Sequence, residues 1–232
     1  VVPLPYYIEV PGGAEDIRRV LKVNETEDTE AGAYQFVTVG IRHATLSHLV
    51  YAWLTPFTDI RSAKETTGGS TDAEFMRINQ FYMQTSQNMA KYQGLKTAGK
   101  DIELKYLGVY VLTVTDNSTF KGILNIADTV TAVNDKTFDS SKDLVDYVNS
   151  QQLGDTVKVT YEEDGTVKSA EGKIITLENG KNGIGIGLID RTEVTSDVPI
   201  RFSTAGIGGP SAGLMFSLAI YTQIADPGLR NG

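Results

Sequence analysis

The chain has 232 residues with 21 basic and 29 acidic side chains, which gives a net charge of −8. This length corresponds to one large domain or two small ones, and a hydrophobic fraction of 41% is typical of folded globular proteins. An acidic chain without a run of Lys and Arg argues against nucleic acid or an anionic membrane as the main partner. Cysteine is absent, which excludes disulfides, thiolate zinc sites and a cysteine nucleophile.

The first part of the chain predicts short strands. They are expected at residues 8–10 and 20–23, and alternating β-branched residues predict a longer strand over residues 34–41. The acidic segment 24–32 lacks the ligand spacing of a calcium loop, so we interpret it as a solvated hairpin tip. The opening residues 1–7 lack the charged and apolar regions of a signal peptide.

The clearest helix is predicted for residues 71–98. Thr71 and Glu74 have the spacing of a capping box, and the apolar residues that follow recur on one face. The two histidines, His43 and His48, are five residues apart, which does not place them on one helix face. No metal site is therefore expected.

A β-rich unit is predicted between residues 106 and 177. A strand over 108–115 and two short strands within 123–134 precede a helix over 142–149 that begins at Ser140 and Ser141. Strict alternation over residues 156–162, the turn residues Asp164-Gly165 and a returning strand over residues 167–177 then predict a hairpin.

This order of elements resembles a PDZ domain, with Tyr106-Leu107-Gly108-Val109 at the place of the carboxylate-binding turn. The sequence departs from bacterial members at Ala127-Asp128, where Gly-Asp is common. The resemblance implies that an extended peptide adds to the sheet edge. The alternative is a β-rich insertion without a ligand. The implied groove residues are Leu107, Gly108, Val109, Tyr110, Val111, Leu144 and Val148.

A glycine-rich segment, residues 183–188, follows the β-rich unit. It has the first two glycines of a dinucleotide fingerprint, but Leu188 occupies the third position and no helix pattern follows. We therefore interpret this segment as a glycine-rich strand or bend. The chain also lacks a phosphate-binding loop, so no cofactor is expected.

Ser211 is the candidate for chemistry. A strand over 198–203 leads into a glycine-rich turn, and Pro210 precedes a helix that contains Leu214, Leu218 and Tyr221. A serine at a helix start either caps the helix or acts as a nucleophile, since the free N–H groups there stabilise an oxyanion. Both interpretations fit these residues.

The segment Gly208-Gly209-Pro210-Ser211-Ala212-Gly213-Leu214-Met215-Phe216 resembles the nucleophile segment of Lon-type serine peptidases, which use a Ser–Lys dyad. The whole chain is similar to bacterial ATP-independent Lon-like proteases with an inserted PDZ domain. The resemblance implies a mixed fold, α+β or α/β. Its peptidase domain would be split into residues 1–105 and 178–232 around a PDZ-like domain at 106–177.

In this resemblance Ser211 is the nucleophile of an endopeptidase, and backbone groups of Gly209 and Ala212 hold the oxyanion, since Pro210 has no N–H. Gly208 stands where related enzymes often have an acid. The family's lysine lies further along, and the 21 residues after Ser211 contain none. Arg230 cannot replace it as a base. The chain by itself is therefore expected to be inactive.

The resemblance further implies unfolded or C-terminal peptide segments as partners, and a membrane anchor upstream of Val1 with the catalytic part on the extracytoplasmic face. Self-association as a homo-oligomer, or disorder near the C-terminus, is expected because the peptidase domain ends early. The competing hypothesis is a non-catalytic PDZ adaptor on a degenerate peptidase scaffold. A trypsin-like protease is disfavoured because no Gly-Asp-Ser-Gly-Gly string exists.

Overall fold

Two hydrophobic cores organise the protein in a computed structural model, which describes residues 4–230. Residues 1–3 and 231–232, at the ends on which the signal-peptide and C-terminal disorder predictions fall, lie outside the described residues. The strands are β1 (Tyr6–Asp16), β2 (Leu21–Val23), β3 (Gln35–His43), β4 (Asp59–Ser62), β5 (Glu103–Val114), β6 (Thr129–Val133), β7 (Thr156–Glu163), β8 (Thr166–Lys173), β9 (Ile175–Thr176), β10 (Asn182–Gly183), β11 (Ile186–Thr195) and β12 (Ile200–Phe202). The helices are α1 (Leu46–Leu54), α2 (Ala63–Thr67), α3 (Asp72–Thr97), α4 (Ser141–Asn149) and α5 (Gly213–Ile224).

The first core lies where α3 packs against α5. Phe216 and Ile220 of α5 are fully buried, and β2 pairs with β12 beside them. Gly94 allows the close approach of the two helices, since a Cβ there would lie 2.8 Å from Ile220 Cγ2. This core joins both ends of the chain. A separate sheet of order β3-β1-β4 and the exposed helix α1 complete this half.

The second core lies under a five-stranded antiparallel sheet of order β11-β5-β6-β7-β8. Phe120 is fully buried there beside Gly172, and α4 contributes Leu144 and Val148. The predicted mixed α/β fold is confirmed. The sheet also takes in β11, which lies in the segment that the sequence assigned to the returning peptidase part.

Two predicted helices, α3 and α4, are confirmed at their starts. Thr71 and Glu74 form the predicted capping box of α3, and Ser140 is the N-cap of α4. The prediction of two short strands within residues 123–134 is wrong, because β6 is the one strand there. Asn125 to Asp128 form a turn instead, in which the N–H of Asp128 donates to the Asn125 carbonyl. None of the helices within residues 4–230 combines the length and the apolar character that crossing a membrane requires.

Candidate functional site

The outer edge of the five-stranded sheet belongs to β11. This strand pairs with β5 along its whole length, and the two register shifts place the extra residues, Leu112 and Leu107, on β5. The N–H and C=O groups of successive β11 residues therefore point alternately towards β5 and away from it, without interruption. The carbonyls of Asp190 and Thr192 are bonded by side chains of α3, so every second residue from Ile186 presents its backbone groups away from β5.

Helix α4 lies alongside this edge. At its start the N–H of Ser141 donates to Asp190 Oδ1 at 3.1 Å. Beyond its end, Asn182 Nδ2 donates to the carbonyl of Gln151 at 2.8 Å. The helix therefore runs antiparallel to β11, and its last turn lies near the residues that lead into the strand.

Those leading residues form a glycine turn at 183–187. Gly185 has φ +75°, and a Cβ there would lie 2.5 Å from Thr115 Oγ1, so this position requires glycine. The Ile184 carbonyl accepts from Ser118 Oγ and the Gly185 carbonyl accepts from the N–H of Thr115. Because the C=O and the following N–H of a trans peptide point in opposite directions, the N–H groups of Gly185 and Ile186 point outward.

Within residues 4–230, the Gly185 N–H donates no hydrogen bond. The turn thus offers backbone donors at the head of a free strand edge, next to an apolar helix. Two adjacent outward N–H groups are a suitable site for a carboxylate. The repeated glycines at residues 183–187 are the sequence signal for this turn. From the sequence, we compared them only with a nucleotide fingerprint.

The predicted groove residues of β5 lie elsewhere. Leu107 to Val111 belong to an interior strand that is hydrogen-bonded to β11 on one side and to β6 at its centre on the other. Val109 and Val111 are fully buried, and the Tyr110 ring stacks on Phe81 with centroids 4.1 Å apart. Gly108 lies against the Val130 carbonyl. This corrects the predicted position of a peptide-binding edge by one strand, because β5 is paired on both sides around Val109 and Tyr110.

The other two predicted groove residues, Leu144 and Val148, lie on α4 and are 2% and 4% exposed. They form the apolar floor between the helix and the sheet.

Ser211 lies in a loop held by α3. The Gly209 N–H donates to the Asn79 carbonyl at 2.9 Å, and Ser86 Oγ donates to the Pro210 carbonyl at 3.0 Å. Ser211 itself is exposed, and its hydroxyl has no hydrogen-bond partner within the described chain.

The helix-cap interpretation of Ser211 does not hold, because α5 begins at Gly213 with Ala212 as its N-cap and no side chain caps it. The predicted oxyanion role of Gly209 also needs correction, since its N–H is already bonded to Asn79. The Ala212 N–H donates no bond within residues 4–230 and stays available.

A cleft of about 560 Å³ opens beside this loop, between β3, the first turns of α3 and residues 206–208. Tyr7, His43 and Asp72 form a hydrogen-bonded cluster on its wall, with His43 Nε2 2.7 Å from Asp72 Oδ2. Burial, followed by the hydrogen bond to Asp72, raises the pKa of Tyr7 to about 12. The same cluster, led by the Tyr7 hydroxyl, lowers the pKa of Asp72.

Lys91 is a polar residue that the sequence analysis did not identify as a candidate site residue. It lies on α3 with Nζ 5.6 Å from the centroid of the Phe202 ring, and burial lowers the pKa of its amine. No contact joins it to Ser211 in the part of the chain that the structure describes. The described residues also contain no group of three or more His, Asp or Glu side chains that could hold a metal ion.

Comparison with known proteins identifies one family. The sequence profile described as PDZ domain matches residues 79–174, from the middle of α3 to the end of the β7–β8 hairpin. No curated protein matches the chain significantly.

Similar solved structures are bacterial. The PDZ domain of the SdrC-like protein from Listeria monocytogenes is 34% identical, covers 38% of this chain and 93% of that domain, and has a TM-score of 0.36. The PDZ domain of the SdrC-like protein from Listeria innocua is 36% identical over 35% and 92% of the two chains, with a TM-score of 0.34. A protein from Geobacillus thermodenitrificans is 30% identical over 34% and 94%, with a TM-score of 0.32.

Proposed function

Because the chain belongs to the PDZ domain family through residues 79–174, we propose that it binds the C-terminal residues of other polypeptides as an added strand on β11. The bound segment would run antiparallel to β11, with its terminal carboxylate at the glycine turn. The outward backbone groups of Ile186 and Leu188 would supply the hydrogen bonds of the added strand.

One observation carries this proposal: the outward N–H groups of Gly185 and Ile186 lie at the head of a free strand edge that faces α4. A carboxylate that accepts both would form charge-assisted hydrogen bonds. The nearby side chains of Ile184, Leu144 and Val148 are apolar, so the terminal residue is expected to be apolar as well.

Replacement of Leu188 by proline tests the added strand. The Leu188 N–H points away from β5, so proline removes a donor to the peptide without removing a hydrogen bond of the sheet. The affinity for a peptide with a free C-terminal valine, measured by isothermal titration calorimetry, is expected to fall at least about tenfold. Leu188→Ala is the matched control for loss of the side chain, and the amidated peptide is the control for the carboxylate. Equal binding of the free and amidated peptides would contradict the proposal.

A second function, hydrolysis of peptide bonds, is favoured by the hydroxyl of Ser211, which is exposed and caps no helix. Ser211 follows Gly208, which lines the cleft, by three residues. We propose that Ser211 is the nucleophile of a Lon-like serine endopeptidase whose lysine base follows this segment. The Ala212 N–H would stabilise the oxyanion. An upstream membrane anchor and an extracytoplasmic location belong to the same proposal.

Cleavage of labelled casein tests the hydrolysis proposal. The protein used is the chain extended through the next lysine-bearing segment. Ser211→Ala is expected to abolish cleavage. Ser217→Ala is the control, since that hydroxyl donates to the Gly213 carbonyl within α5. Cleavage that survives Ser211→Ala would contradict the assignment. An extended chain that binds peptides but never cleaves casein would favour the adaptor alternative.

A further inference from the structure

One side of α1 is an apolar surface that the described part of the chain leaves uncovered. At about 100° per residue, four large apolar side chains fall within an arc of about 100°, which is the spacing of a helix face that packs against another element. These side chains are 59–85% exposed: Leu46, Val50, Trp53 and Leu54. Leu49 and Ala52, which point to the other side, are half-buried. The helix therefore contacts its own protein through its less apolar side.

Phe57 extends this surface beyond the end of α1. It lies in the turn between α1 and β4 with φ +63°, in the left-handed region that bulky residues rarely adopt. Its side chain is 85% exposed. An unfavourable backbone conformation thus holds an aromatic ring in solvent, which points to a binding role for the ring. We call Phe57 and the four exposed helix residues the outer α1 face.

The outer α1 face lies in a segment without charge. Residues 44–58 contain no Asp, Glu, Lys or Arg, although 22% of the chain is charged. Helices that lie on membranes carry Lys and Arg beside their apolar side, and α1 has neither. Two copies of a chain with a net charge of −8 repel each other, so an uncharged face is where they can meet with the least repulsion. The charge pattern therefore favours a second copy over a lipid surface.

The area of the outer α1 face matches one half of a dimer interface. Five large apolar side chains at these exposures present about 700 Å² to solvent, which exceeds the roughly 300–600 Å² of the largest apolar patch on a typical monomer. A stable interface takes about 800 Å² from each partner. Two outer α1 faces would bury about 1,400 Å² in total, which lies within the range of specific interfaces.

We propose that the outer α1 face is a homodimer interface, on which a second copy of this chain packs its own α1 about a twofold axis. Because Trp53 and Phe57 lie towards one end of the face and Leu46 and Val50 towards the other, an antiparallel pair places aromatic rings on aliphatic side chains. Trp53 of one copy would contact Val50 of the other. The inference is independent of the proposed peptide binding and hydrolysis.

Sedimentation velocity of the wild-type chain at increasing protein concentration tests the interface. A reversible monomer–dimer equilibrium is expected, with a dissociation constant of about 1–50 µM. Trp53 is the one tryptophan of the sequence, so tryptophan emission reports on this face. The emission should shift to shorter wavelength with the same midpoint. A chain that stays monomeric at about 200 µM, or that dimerises without an emission shift, would overturn the inference.

A charge placed on the face tests which residues form the interface. Val50→Glu is expected to weaken the dimer at least about hundredfold, because each copy would bury a carboxylate without a partner. Val50 is exposed, so the fold should tolerate the change. Val167→Glu is the matched control, since it makes the same substitution at an exposed valine of β8. It should leave the dissociation constant within about twofold. Equal weakening by both variants would overturn the inference.

Two further measurements address the other ways of covering the face. Phosphatidylcholine vesicles are expected to leave the dimer and its Trp53 emission unchanged, and vesicles that bind the protein and dissociate the dimer would overturn the inference in favour of a membrane. The extended chain with Ser211→Ala is expected to dimerise as well. A monomeric extended chain would overturn the inference, because the added segment would then cover the face itself.

Discussion

The two cores of the protein differ in how the sequence supplies them. The buried residues of the β-rich core come from one continuous stretch, from Val109 to Ile184. The helical core takes its buried residues from three separate stretches, 17–36, 83–95 and 212–220. A core made from one stretch closes shorter loops as it folds than a core that joins the two ends of a chain. The β-rich core is therefore expected to fold independently, because its residues are contiguous in sequence, and the helical core is not.

The two cores nevertheless share structure. Strand β5 follows α3 after a few residues, and β11 contacts α3 through Thr85 and Asn88. The proposed binding edge thus belongs to the β-rich sheet but is bounded by a helix of the other core. Whether the cores unfold separately decides how far peptide binding is influenced by the helical half.

A matched pair of alanine substitutions, one in each core, is expected to have the largest effect on stability. Phe120 and Phe216 are both fully buried, so each change to alanine should lower the free energy of unfolding by about 3–5 kcal/mol. Hydrogen exchange measured by mass spectrometry locates the loss. Phe120→Ala should accelerate exchange in β5 to β8 and leave α5 protected, while Phe216→Ala should do the reverse. Equal acceleration of both regions by either variant would show that the two cores form one cooperative unit.

The sequence predicted the elements whose signals are local. The capping box of Thr71 and Glu74 and the apolar face behind it placed α3, because both act within a few residues of the helix start. The strands of the β7–β8 hairpin alternate and surround Asp164-Gly165, so they were predicted as well.

Only the start of β11 was predicted, since residues 183–188 were interpreted as a glycine-rich strand or bend. The rest of the strand was missed because its pattern depends on tertiary neighbours. The first seven residues of β11 are all half-buried, which removes the two-residue period. Ile186 and Leu188 pack against the β-rich core, and α3 covers part of the strand. Helix α1 was also not predicted; it is apolar, and the structure leaves none of its residues buried. The binding edge could be predicted only after β11 had been placed beside β5.

A change at Gly94 tests how tightly the helical core is packed. Alanine is normally the better helix former by about 1 kcal/mol. At this position its Cβ would lie 2.8 Å from Ile220 Cγ2 and 2.9 Å from the Ser217 carbonyl, so overpacking should outweigh that gain. A net loss of about 1–3 kcal/mol is expected in chemical denaturation. Met89→Ala on the exposed face should change stability by far less. A stabilised Gly94→Ala variant would show that α3 and α5 separate easily, which would weaken the contrast between the cores.

The smallest effect is expected at Lys91, the half-buried lysine of the helical core. Burial lowers the pKa of its amine below 10.5 in the folded state. At neutral pH both states are protonated and the folded state bears the cost of the buried charge. As the pH rises through the lowered folded-state pKa towards 10.5, the folded state loses its proton first and the stability contribution rises. Lys91→Met keeps the apolar stem on Phe202 and removes the charge.

Lys91→Met should therefore be more stable than wild type at pH 7, by less than about 1 kcal/mol because the interaction of the ammonium with the Phe202 ring offsets part of the cost. The difference should shrink as the pH rises towards 10.5, as measured by urea denaturation of both proteins at each pH. Lys100→Met, at an exposed position after α3, controls for the change in net charge. A lower stability of Lys91→Met at pH 7 would mean that the ring contact outweighs burial, and that the helical core gains from a charge at its margin.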